Sequence, residues 1–202
     1  MPGVEFAKWL GFAAMIYNHW GVFVEPLPYF EMVGSFAFPL FVWAIAAATR
    51  NANARQDATT IKRMLVWGFL AQVVVVLVRD PLPLNVLFTL ASGVAFARAI
   101  QSREQRWVYL AIAVVIGAVS EFTIVGTAVT GLMIASARGL LSPWSAIAAS
   151  VPLYAFNAGW PTATLAVVAL TYWGHALPEL PRRRRVFYPL YVVQYPLLRL
   201  FG

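Results

Sequence analysis

His19 is the first residue to suggest chemistry, because it lies about 15 positions into an apolar run that begins at Val4. A titratable ring at such depth in a membrane is costly unless it is paired or used. As a general base, an imidazole of near-neutral pKa suits proton abstraction from an amine or hydroxyl. The same ring can equally serve as a structural histidine satisfied by a neighbouring helix, or be wetted near the headgroups. Asn18 adds a second polar group beside it. Glu121 interrupts the apolar run Ala111 to Val119 and is followed by Thr123, Gly126, Thr127 and Thr130, a composition that suits a break lining a polar cavity. A carboxylate there would orient or charge-stabilise His19 as in a catalytic triad, or else cap a turn in outer water.

Asn85, Thr89, Ser92 and Phe96 recur at spacings of four, three and four, which gives one helix a polar face turned into the bundle. Ordinary interhelical hydrogen bonding accounts for such a stripe. Its Asn85 end also lies on the same side as His19, where Asn85 or Thr89 would donate to a developing oxyanion. Arg79 and Asp80 precede Pro81 and Pro83 as a solvated turn, with Arg79 the candidate to grip an acceptor. On the opposite side Lys8, Lys62 with Arg63, Arg98 with Arg106, and the run Arg182 to Arg185 suit the phosphates of a phosphorylated donor. Membrane orientation and anionic headgroups explain the same charges. His175 reads as interfacial.

These residues must be positioned by helices. At about 100° per residue Lys8, Met15 and His19 share a face, and eleven positions rise roughly 16 Å, close to the reach of a pantetheine arm. Asn18 continues a different line, Ala7, Gly11 and Ala14, whose small residues let another helix approach.

The chain has 202 residues, 61% hydrophobic and 11% charged, with a mean hydropathy of +0.72. That excludes a water-soluble core protein. At roughly 20 residues per crossing the length permits about nine spans and no extramembrane domain. Nine apolar segments are expected: 4–24, 33–49, 64–78, 84–97, 107–119, 125–137, 140–156, 162–177 and 186–200. Several are short, and those at 84–97 and 107–137 are candidates for broken or re-entrant segments surrounded by protein. The first segment has no positive n-region and no A-x-A-like cleavage site, so it reads as mature.

The net charge is +7. With the N-terminus cytoplasmic, 13 of the 15 bases fall inside: Lys8, Arg50, Arg55, Lys62, Arg63, Arg98, Arg103, Arg106, Arg138 and Arg182 to Arg185. Only Arg79 and Arg199 fall outside, so the expected topology is N-in, C-out. Trp20 and Trp160 then sit at the outer interface, Trp67 and Trp107 at the inner one. Glu25, Glu31, Asp80 and Glu121 lie outside, while Glu5, Asp57, Glu104 and Glu179 read as solvated inner loop charges. The expected fold is an all-α polytopic transmembrane helical bundle in one domain, without internal repeats. There is no cysteine, and so no disulfide, thiolate metal site or thioester-forming nucleophile. No metal-ligand spacing, P-loop or G-x-S-x-G elbow occurs, and no basic aromatic patch points to nucleic acid.

Several segments, in order, resemble the TraX family of membrane acetyltransferases: Lys8 to His19, Val33 to Phe41, Lys62-Arg63, Asn85 to Gly93, Glu121-Phe122 with Gly126, and Arg185 to Tyr191. The family usually shows Asp at position 18, Arg at 35, Tyr at 122 and His at 194, where this chain has Asn18, Ser35, Phe122 and Gln194; it also has Asp at 121, where this chain has Glu121. The resemblance implies a bacterial inner (cytoplasmic) membrane protein. It would take an acetyl group from acetyl-CoA at some of Lys8, Lys62, Arg63, Arg98 and Arg182 and deliver it near the outer face. The implied acceptor is the N-terminus of a pilin subunit, with His19 as base, Glu121 or Asn18 orienting it, and no metal. Two other functions fit the same residues: a small transporter or flippase, and a non-catalytic pilus assembly protein.

Overall fold

The computed structural model describes residues 3–78, 85–120, 122–156, 161–181 and 186–201. Among these residues every regular element is helical: α1 Val4–Phe23, α2 Phe30–Gly34, α3 Ala37–Ala48, α4 Ala54–Val78, α5 Val86–Gln101, α6 Arg106–Val119, α7 Thr123–Ala137, α8 Pro143–Ser150, α9 Thr162–Trp173 and α10 Phe187–Phe201. Two 3-10 turns, Val151–Phe156 and Gly174–Ala176, extend α8 and α9. Taking α2 with α3 as one interrupted segment, the described residues form nine helical segments. Two are both long and apolar enough to cross a membrane, Phe30–Ala48 and Ala54–Leu77. α1 has the length, but Glu5, Lys8, Asn18 and His19 lower its hydropathy.

Local chemistry sets the boundaries. Asn53 and Gln56 cap α4 reciprocally, Gln56 N donating to Asn53 Oδ1 at 3.0 Å and Asn53 N to Gln56 Oε1 at 2.8 Å. The helix therefore starts ten residues before the apolar stretch expected from Met64. Ser142 caps α8 with Pro143 in its first turn. Pro152 then supplies no amide hydrogen, and the segment continues as a 3-10 turn instead of a long helix.

α5 is the axis of the bundle, packed by α4, α6 and α7. Its expected polar face is indeed internal: Asn85, Thr89 and Ser92 are buried, and Ser92 Oγ lies 2.6 Å from Thr127 Oγ1 on α7. Gly93 lets α7 come this close, because a Cβ there would collide with the side chain of Thr130. Protein thus surrounds the short segment at 84–97, within its described part. By contrast, α6 buries only Ala113 and Gly117 and exposes Trp107, Val108, Val114, Val115 and Val119.

Two acidic residues depart from expectation. Asp57 is not a solvated loop charge: it is fully buried, with Arg138 Nη2 2.6 Å from Oδ1 and Nη1 3.0 Å from Oδ2. Arg138 also donates to Thr49 O at 3.1 Å and to Gln101 Oε1 at 3.0 Å, tying the ends of α3, α4, α5 and α7 together. Glu5 is buried too, its Oε1 2.7 Å from Lys8 Nζ. Burial makes each charge dependent on its partner. Glu104 and Glu179 are exposed as expected.

Candidate functional site

α1 and α10 form the seam on which the site is built. The expected face of α1 is real, and α10 reads it residue by residue. Lys8 Nζ stands 5.6 Å from the Phe187 ring centroid, Met15 Sδ accepts weakly from Gln194 Nε2 at 3.7 Å, and the His19 ring lies 5.2 Å from that of Tyr195. α10 supplies these partners because Phe187, Tyr191, Gln194, Tyr195 and Leu198 recur at helical spacing and are all buried. His19 is half-buried and also meets Phe23 edge-on at 5.8 Å.

At the Lys8 end the seam opens into a cavity of about 860 Å³. Glu5, Lys8, Arg50, Arg63 and Glu179 bring charge to its lining, the last three from exposed positions, and Met64, Leu87, Leu90 and Tyr191 line it as well. Gly3, the turn at 49–52 and Glu179 all border it, so the connections expected on the inner side meet at one end of the bundle. The Tyr191 and Tyr195 ring centroids are 6.2 Å apart. An aromatic path therefore runs from the cavity wall through Tyr191 and Tyr195 to His19.

Of the expected donor-binding residues, Lys8 and Arg63 line this cavity together. Lys62 is exposed and does not line it. Arg98 instead shares the exposed Gln101 Oε1 with Arg138, its Nη1 donating to it at 3.1 Å, and Arg182 lies outside the described residues. Arg50, one of the expected inner bases, and Tyr188 and Tyr191, from the segment that resembles the family, also line the cavity, although none was expected to bind the donor. For Arg50 the only sequence signal was a cation directly after an apolar run.

Asn18 packs on α2, where a Cβ at Gly34 would strike its amide. The next residue, Ser35, hydrogen-bonds with Thr162 and donates to Met32 O at 2.7 Å. Asn85 caps α5: its Oδ1 accepts from Leu87 N at 3.1 Å, and its Nδ2 donates to Gly68 O at 2.8 Å and to Gln72 Oε1 at 3.3 Å. Thr89 is fully buried against Gly126. These contacts set Asn85 and Thr89 against α4 and α7, whereas His19 meets α10. Phe122 stacks on Phe38 with centroids 4.3 Å apart. Glu121 and Arg79 lie outside the described residues. Among the described residues no group of three His, Cys, Asp or Glu side chains is placed to hold a metal.

The family model described as TraX protein matches residues 4–201. No curated protein and no solved structure matches the chain.

Proposed function

We propose, since the chain belongs to the TraX family, that it is a multi-pass protein of the bacterial inner membrane that transfers an acetyl group from acetyl-CoA to an amine near the outer face. The favoured acceptor is the N-terminus of a pilin subunit. The observation that carries this reading is the cavity lined by Lys8, Arg50 and Arg63, joined by Tyr191 and Tyr195 to His19. The cations suit a polyphosphate head. The seam above them supplies the length over which a pantetheine arm would carry a thioester towards His19.

In the reaction the acceptor nitrogen attacks the thioester carbonyl while His19 takes its proton. The C–S bond breaks, the amide forms, and the departing thiolate of coenzyme A takes up a proton. No cysteine is present to form an acyl-enzyme thioester.

Labelled acetyl-CoA, purified protein and candidate acceptors, followed by mass spectrometry, test this directly. His19→Ala should slow transfer by about 10²–10⁴-fold, as loss of a general base does. Arg63→Ala should raise KM for the donor by about tenfold, the worth of a charge-assisted contact, and leave kcat near wild type. Turnover indifferent to His19→Ala removes the histidine from the mechanism. Counterflow of an unmodified solute in proteoliposomes points to transport instead.

A further inference from the structure

A second cavity, of about 410 Å³, lies on the other side of α3. Phe41, Ala44, Ile45 and Ala48 line the larger cavity alone and Trp43 and Ala46 the smaller alone, while Ala47 and Arg50, on the same face as Trp43 and Ala46, reach both. Both sets repeat at three, four and seven positions, and they are offset by two residues, about 200° around a helix. α3 is thus a partition with a cavity on each face. Arg50, in the turn that follows it, borders both. Its guanidinium makes no hydrogen bond or ion pair among the described residues.

The smaller cavity has the chemistry of a site for a flat heteroaromatic group. Trp43, Met133 and Leu170 give it apolar walls, while Thr171 and His175 add hydrogen-bonding edges. Thr171 Oγ1 is buried and has no hydrogen-bond partner among the described residues. Both volumes lie within the roughly 300–1,000 Å³ typical of small-molecule sites. A ligand bent over the end of α3 would keep its phosphates at Arg50 and send one half down each face.

We propose that the smaller cavity holds the purine nucleotide half of the acyl donor while its acyl-bearing arm occupies the larger one. This rests on coenzyme A being the donor, so the test reads nucleotide binding separately from transfer. Adenosine 3′,5′-bisphosphate, the nucleotide head alone, is titrated by calorimetry into the full-length protein in detergent. It should bind wild type and be displaced by coenzyme A. Ala137→Phe, which fills the smaller cavity from the half-buried end of α7, should weaken that binding by about tenfold or more, as loss of a base-stacking site does. The same variant should use S-acetyl-4′-phosphopantetheine, which lacks the nucleoside, as well as wild type does. His175→Ala changes an exposed side chain, so it tests the same cavity without disturbing the core, and it should weaken nucleotide binding several-fold. The proposal is overturned if the nucleotide does not bind, if coenzyme A fails to displace it, or if both variants bind it like wild type. Nucleotide binding in the expected pattern without acetyl transfer would uphold the cavity assignment and remove the reaction.

Discussion

Asn85 has both ends of its side chain engaged, one in capping α5 and the other in holding α4 through Gly68 and Gln72. Asn85→Ala should therefore cost about 2 kcal/mol, the upper range for a lost cap, read as a fall in the unfolding midpoint in detergent. Asn85→Asp keeps the capping acceptor but sets a buried carboxylate against the acceptors Gly68 O and Gln72 Oε1, so it should cost at least as much as Asn85→Ala. Sequence spacing correctly put Asn85 inside the bundle, but it could not tell a cap from an oxyanion donor, since both need the same amide. Asp57 shows the reverse limit. Its neighbours are polar, so the chain reads as solvated there, and only the return of Arg138 from 81 positions later buries it. Arg50 was obscured for the same reason, as periodicity says nothing about what a cation after a helix will border.

At the scale of elements, two faces were legible because a helix repeats every 3.6 residues. The Lys8, Met15 and His19 line became the α1 seam, and the Asn85, Thr89 and Ser92 line became the interior of α5. The start of α4 was not legible from apolar content, since a capping box made of Asn53 and Gln56 can begin a helix in polar sequence. Close approach between α5 and α7 depends on Gly93. Gly93→Leu should lower stability by about 3 kcal/mol or abolish folding, because the backbone of α7 has to move. Gly139 supplies the contrast. It has φ +73 and nothing within 4 Å of a Cβ, so Gly139→Ala should cost only about 1–2 kcal/mol, from backbone strain alone. Thermal unfolding of the two variants side by side separates crowding from conformation.

For the whole molecule, the Arg138–Asp57 pair holds four helix ends at the Lys8 side of the bundle. Arg138→Met or Asp57→Leu alone should cost about 3–5 kcal/mol, since each leaves a buried charge without its partner. The double variant should be more stable than either single one, and a double-mutant cycle of unfolding midpoints measures the difference. Membrane sidedness can be tested just as cleanly, because the natural chain has no cysteine. An impermeant maleimide applied to intact cells should label Glu25→Cys and spare Glu104→Cys, both being exposed positions; the opposite pattern inverts the topology. The sheath around α5 has one more consequence, for how the chain is made. Ser92 finds Thr127 only 35 residues further along, so the contact between α5 and α7 cannot form until most of α7 has been synthesised. Until then Ser92 has only its own helix to turn to, its hydroxyl donating to Thr89 O at 2.7 Å, so a chain cut between α5 and α6 should keep that local bond and lack the one that joins the two helices.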